Sequence, residues 1–110
     1  DGSVVKIQWA SMANGDTGTP ISFTQWADRS IQVTGTFGAA GNLRWQGSNN
    51  GGANYDTLSD PQGNALDIGA AKTEAITEIT ELARPYVTAG DGTTSLTVTL
   101  VARRAQQLRV

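Results

Sequence analysis

The sequence predicts an all-β fold, namely an antiparallel, jelly-roll-like β-sandwich of about eight short strands. Apolar and polar residues alternate with a period of two in several segments, which is the pattern of half-buried strands. Turn-forming Gly, Asn, Asp and Pro recur about every ten residues between those segments. Only 16% of the residues are charged, against about 25% in an ordinary soluble domain, so uncharged polar side chains must cover much of the surface.

Four segments in the first half of the chain are predicted strands: SVVKIQW at 3–9, ISFTQW at 21–26, SIQVTGTF at 30–37 and LRWQGS at 43–48. Trp9 and Trp45 share a face with apolar neighbours, which assigns both rings to the core. Trp26 is out of phase with Phe23, and we therefore expect its side chain to be exposed.

Four further strands are predicted in the second half: YDTLSD at 55–60, ALDI at 65–68, LARPYV at 82–87 and SLTVTLVARR at 95–104. The segment before residue 82 is ambiguous. Ile76, Ile79 and Leu82 recur at helical spacing, whereas the many threonines and Pro85 oppose a helix. We expect at most a short helical turn near residues 70–75, followed by extended chain.

We predict one β-sandwich domain over residues 1–102 and a basic C-terminal tail over residues 103–110. Three of the eight basic residues lie in this tail. The tail is either a frayed end or an arm that orders on a neighbouring protein. No apolar run approaches the ~20 residues of a membrane span, so no membrane partner is expected.

The composition narrows the chemistry open to this chain. The absence of His and Cys removes the commonest general base, the usual nucleophile pairs and the usual zinc ligands. A net charge of −2 argues against a nucleic-acid partner. Asp56, Asp60 and Asp67 allow a carboxylate pair, and Asp56 and Asp60 with main-chain carbonyls allow a calcium site. However, aspartates beside Asn, Pro and Gly are typical of turns. We predict no enzyme activity, no metal site and no cofactor.

The Asn- and Gly-rich segment GSNNGGAN, residues 47–54, is either a ligand loop or a hairpin connection. Asn-Gly and Gly-Gly supply the positive φ angles that hairpin turns require, which favours a structural turn. If the tip contacts a partner, its backbone and amides would make that contact, with Tyr55 as the anchor.

Two long segments, residues 31–66 and 82–104, resemble a family of small virion proteins of tailed bacteriophages. The shared order is V-x-G-T-F, a strand ending in G-S-N-D-G, an L-x-D-x-x-G turn, and R-P-x-V-T-x-G-x-G-T-x-x-L-T-V. The resemblance covers about Gln8 to Arg104. The chain departs from the pattern at Asn50, where aspartate is usual, and in the additional Gly52 and Ala53.

The resemblance implies a head decoration, or cement, protein on the outer surface of the virion capsid. Such a protein binds the major capsid protein, holds neighbouring capsomers together and associates with copies of itself, as trimers in preference to dimers. The working parts would be the terminal segments, residues 1–5 and 103–110, and one broad loop such as residues 10–20. The basic tail would pair with an acidic capsid surface. The interface candidates are Val4, Val5, Trp26, Tyr55, Arg103, Arg104, Leu108, Arg109 and Val110.

The alternative is a carbohydrate-binding or host-adhesion module of a virion or a secreted protein. Such β-sandwich modules stack exposed aromatic rings on the faces of sugar rings. Here the glycan would contact Trp26, Tyr55 and the Asn-rich loop. Exposed aromatic residues also anchor protein interfaces, so the rings alone do not decide between the two hypotheses.

Overall fold

Alternating segments of the chain form eight antiparallel strands in a computed structural model that describes residues 4–22, 24 and 26–104. In chain order the strands are β1 (Val4–Met12), β2 (Trp26–Thr36), β3 (Asn42–Ser48), β4 (Asp56–Thr57), β5 (Asp67–Ile68), β6 (Lys72–Ile76), β7 (Leu82–Ala89) and β8 (Ser95–Arg104). They make two antiparallel sheets, so the predicted all-β sandwich is confirmed.

The first sheet has the strand order β1-β8-β2-β6. Strand β8 lies between β1 and β2, and its Leu100 is paired with Ile7 on one side and Ile31 on the other. Alternate residues face the second sheet because side chains along a strand point to opposite faces. The fully buried residues of this face are Ile31, Val33, Leu96, Val98, Leu100 and Ala102.

The second sheet is built on β3, which pairs along its length with β7 and, at separate positions, with the short strands β4 and β5. Isolated bridges join Thr17 to Tyr86 and Ile21 to Ala83, so the segment after β1 runs beside β7. The chain therefore crosses from the first sheet to the second between β1 and β2.

Buried side chains of both sheets form a single hydrophobic cluster. Trp45 is its largest fully buried member, and the ring of the half-buried Trp9 packs edge-on against it at a centroid distance of 5.7 Å. Burying each Leu, Ile or Val of this cluster contributes about 1.5–3 kcal/mol. The assignment of both tryptophans to the core is confirmed.

At most a short helical turn was predicted near residues 70–75, and none forms there, because Lys72–Ile76 form strand β6. Pairing with β2 fixes this segment as a strand, from Val33 opposite Lys72 to Arg29 opposite Ile76. Ile76 is buried while Ile79 is 57% exposed, so the helical spacing of these residues does not mark one buried face.

The strand predicted at residues 21–26 is also wrong in its limits. Ile21 forms only an isolated bridge, and the strand begins at Trp26 and continues to Thr36. Trp26 was predicted to be exposed, but its side chain is half-buried and packs against the core. Phe23 and Gln25 lie outside the described residues.

Candidate functional site

Five of the predicted interface candidates meet at one end of the first sheet. Val4 is paired with Arg103 where β1 and β8 run side by side, and Trp26 is paired with Arg104 where β8 meets β2. Val5 follows on β1. We call these five residues the terminal patch, in which Arg104 is placed by its backbone pairing. The patch includes the first two residues of the predicted tail, which belong to β8.

The side chains of the terminal patch point to two faces of the sheet, because paired residues of β1 and β8 point to the same side. Val4 is 56% exposed on the outer face, where Val101 is 40% exposed opposite Lys6. On the inner face Val5 and Trp26 pack against the hydrophobic core. The outer face thus combines two exposed branched apolar side chains with a lysine.

A β-bulge in β2 shapes this end of the sheet. The register of β2 on β8 shifts between Ala27 and Ser30, and Asp28 adopts a φ of +46°. Aspartate tolerates this left-handed conformation better than most residues. The Asp28 carboxylate accepts hydrogen bonds from Arg103, whose Nε lies 3.2 Å from Oδ2 and whose Nη2 contacts the same oxygen. Both side chains are well exposed, so their pairing orients Arg103 more than it stabilises the fold.

Tyr55 lies apart from the terminal patch, on the loop that leads into β4 of the second sheet. The guanidinium carbon of Arg84 stands 3.8 Å from the centre of its ring, and Arg84 Nε donates a hydrogen bond to Gln46 Oε1 at 3.1 Å. One face of Tyr55 is therefore covered by a cation–π contact. The structure does not bring Tyr55 and Trp26 together as a stacking platform.

The remaining candidates, Leu108, Arg109 and Val110, lie outside the described residues. The part of the tail that the structure describes is Arg103 and Arg104, at the end of β8.

The Asn-rich segment connects two antiparallel strands, β3 and β4, as predicted for a hairpin connection. Gly51 and Gly52 have φ angles of +72° and +91°, which confirms the need for glycine there. Ser48 Oγ accepts hydrogen bonds from the N–H groups of Asn50 and Gly52. Asn50 Oδ1 accepts from the Asn54 N–H at 3.0 Å, and Asn50 Nδ2 donates to Asn54 Oδ1. These side chains hold the loop together.

Two further hydrogen bonds tie this loop to the chain before β7. The Gly51 N–H donates to Glu81 Oε1, and the Glu81 N–H donates to Asn49 Oδ1, both at 2.8 Å. An open cleft of about 360 Å³ lies beside the loop. Its lining consists of Gly47, Ser48, Asn49, Asn50, Asn54, Asp56, Leu58 and Thr80. The lining side chains carry amides, two hydroxyl groups and a carboxylate, and no aromatic residue of the described chain is among them.

The three clustered aspartates have separate structural surroundings. Asp60 Oδ1 accepts the N–H groups of Gln62 and Asn64, which is a turn role, and Asp67 lies 3.6 Å from Arg44 Nε in an exposed ion pair. Asp56 borders the cleft. Across the described residues, no group of three or more acidic side chains is placed to hold a metal ion.

The turn before β8 contains a strongly bonded carboxylate. Asp91 accepts hydrogen bonds from the Thr93 hydroxyl, from the Ala39 N–H and from the Thr93 N–H, and these lower its pKa to about 2. Thr94 Oγ1 in turn donates to the Phe37 carbonyl at 2.8 Å. The carboxylate therefore fastens the β7–β8 turn to the β2–β3 turn.

Sequence reasoning missed Asp28, Arg29 and Val101. Arg29 is only 5% exposed and points to the same side as the buried Ile31 and Val33. Its alternation with these two residues is the sequence pattern from which its burial could have been predicted. Val101 lies on the polar side of an alternating strand, and this position predicts that its side chain is exposed.

The described residues contain no helix long and apolar enough to cross a membrane. No protein-family model, curated protein or solved structure gives a significant match to this chain.

Proposed function

We propose that this chain is a head decoration protein of a tailed bacteriophage, which binds the outside of the assembled capsid through the terminal patch and stabilises contacts between capsomers. The observation that carries the proposal is the meeting of β1 and β8 at Val4 and Arg103, beside Trp26. The sequence pattern of tailed-phage virion proteins supports the same function independently of this geometry.

The chemistry of the terminal patch suits a protein partner. Val4 and Val101 offer exposed apolar surface, Lys6 adds a positive charge beside it, and Arg103 forms an ion pair with Asp28 at its edge. Arg103 is held in place by Asp28, so less side-chain freedom is lost when it binds. Such a surface complements an acidic capsid surface that has an apolar centre.

A small patch is sufficient for a decoration protein because many copies bind one symmetric shell. Association of the decoration protein with copies of itself, as trimers or dimers, links several weak contacts and raises the effective affinity without any new contact. The capsid gains stability from the sum of these contacts, although each one is modest.

The proposal is tested by mixing the purified protein with capsids that lack it. We expect the protein to co-sediment with the capsids and to raise their melting temperature, because ligand binding to the assembled state stabilises that state. Failure to co-sediment at micromolar protein would overturn the proposal.

Glycan binding is a second candidate function, which the cleft beside the Asn-rich loop favours. Amide and carboxylate groups such as Asn54 and Asp56 hydrogen-bond sugar hydroxyls readily, and both line the cleft. A saccharide panel followed by protein fluorescence tests it. Saturable binding that Asp56→Ala abolishes, together with no capsid association, would support glycan binding and contradict the decoration function.

A further inference from the structure

A nearly buried arginine without a carboxylate partner lies next to the terminal patch. Arg29 is 5% exposed, yet within the described residues it makes no ion pair, and its one hydrogen bond runs from Nη2 to the Glu78 carbonyl. A guanidinium carries five N–H donors. Most of the hydrogen-bonding capacity of Arg29 is therefore unused.

The unused donors border a cavity of about 310 Å³. Among the described residues, those that line it are Asp28, Arg29, Ala75, Ile76, Thr77 and Ile79. Within the described residues, the enclosed side-chain polar atoms without a partner belong to Asn42, Arg44 and Trp45 and not to Arg29. The guanidinium nitrogens of Arg29 without a protein partner therefore keep some access to solvent, and Arg29 is one of the residues that line the cavity.

Arg29 brings to the cavity a positive charge that no carboxylate of the described residues pairs with. Burial lowers the pKa of Arg29, since the charged form has lost water that no carboxylate replaces. The nearby acidic groups are already engaged: Asp28 binds Arg103, and Glu78 Oε1 accepts the Ser59 N–H at 2.6 Å. A guanidinium in this state gains most from a planar carboxylate, which it binds through two parallel hydrogen bonds.

The shape of the lining indicates a carboxylate that carries an apolar stem. Ile79 is 57% exposed at the cavity and Ile76 forms part of its buried wall, so aliphatic carbons of a ligand would pack there. The Asp28 carboxylate in the same wall repels any anion, and it repels a doubly charged phosphate about twice as strongly as a singly charged carboxylate.

We propose that this cavity is a carboxylate-binding pocket that receives an aspartate or glutamate side chain of the capsid protein. The partner named here rests on the proposed decoration function, because Asp28 joins the pocket to the terminal patch through Arg103. The incoming carboxylate takes the donors of Arg29 that are free, and its stem contacts Ile79.

The pocket is tested without capsids by titrating the ¹⁵N-labelled protein with N-acetylglutamate methylamide and following the Arg29 Nε–Hε signal. We expect a saturable shift in the millimolar range, and no such shift with N-acetylglutamine methylamide or inorganic phosphate. Absence of a response to the carboxylate at tens of millimolar, or an equal response to the glutamine analogue, would overturn the pocket.

The partner is tested by capsid binding of Arg29→Lys, which keeps the charge but loses the two-pronged geometry. We expect its affinity for capsids to fall about 10- to 100-fold, as for the loss of a charge-assisted hydrogen bond. Arg44→Lys, in the second sheet, is the matched control and should bind like wild type. Urea unfolding of both variants checks that each is folded.

Two outcomes separate this inference from the proposed function. Equal capsid binding by wild type and Arg29→Lys would overturn the pocket's role on the capsid while the decoration function stands. A saturable carboxylate response from a wild-type protein that binds no capsid would support the pocket, and it would overturn the capsid as its partner together with the decoration function.

Discussion

At the scale of single residues, the fold depends on positions where only glycine fits. Gly35 in the V-T-G-T-F segment has a φ of +114°, and a Cβ built there would lie 2.3 Å from the Ser95 carbonyl oxygen. This close approach of β2 to β8 explains why a glycine lies near the end of strand β2.

Gly35→Ala is predicted to lower the free energy of unfolding by about 3 kcal/mol or more, since it combines backbone strain with a clash against a neighbouring strand. Gly63→Ala is the matched control, because Gly63 has a φ of +90° and open space around it. It should lose only about 1–2 kcal/mol from strain. Urea unfolding measures both, and equal losses would show that the clash does not matter.

The Asp91 carboxylate makes stability depend on acid pH. Its pKa is about 2 in the folded protein against an ordinary value of 3.8, so its contribution is present above about pH 4 and is lost as the pH falls through about 2. Asp91→Asn should therefore melt below wild type at neutral pH, and the gap should close between pH 4 and pH 2.

Asp56→Asn is the control for Asp91, because the exposed Asp56 side chain makes no hydrogen bond or ion pair to the described residues. Thermal melts of the three proteins across this pH range provide the measurement. A gap between wild type and Asp91→Asn that stays constant down to pH 2 would contradict the role of this carboxylate.

At the scale of elements, strands with an uninterrupted alternation were predictable and interrupted ones were not. The pattern of β8 is clear because Leu96, Val98 and Leu100 alternate with threonines. The start of β2 was missed because the bulge at Asp28 breaks the period of two. Strand β6 was missed because its conformation is set by pairing with β2, which local helix preference does not reveal.

The candidate site, like the strands, was predictable from the sequence only in part. Clustering of Val4, Trp26 and Arg103 depends on β8 lying between β1 and β2, which the sequence does not state. Their selection as interface residues came from chain position and residue type alone. The pocket beside Arg29 needed the bulge, the β6 pairing and the chain after β6 to be placed together, and no local pattern encodes that combination.

The β3–β4 loop is predicted to be a structural element rather than a ligand site. Asn50→Ala removes three side-chain hydrogen bonds within the loop and should lower the free energy of unfolding by about 1–2 kcal/mol. Asn64→Ala, in an exposed turn, should change it by about 0.5 kcal/mol or less. Both variants should still bind capsids, and selective loss of binding by Asn50→Ala would contradict this assignment.

At the scale of the whole molecule, the residues that stabilise the sandwich are separate from the residues proposed to bind the capsid. The hydrophobic core lies between the two sheets, and the turns held by side-chain hydrogen bonds lie around them. The terminal patch occupies one end of the first sheet. The molecule measures 53 × 29 × 26 Å over the described residues, and a long, narrow body can bind a shell by one end while the other parts stay free.

The most direct test of the decoration function is the affinity of capsids for Val4→Asp compared with Thr34→Asp. Both substitutions add one negative charge at an exposed position of the first sheet, but only Val4 lies in the terminal patch. We predict that Val4→Asp weakens capsid binding at least about tenfold, by charge repulsion and loss of apolar contact, while Thr34→Asp binds like wild type. Equal affinities for wild type and both variants would contradict binding through the terminal patch.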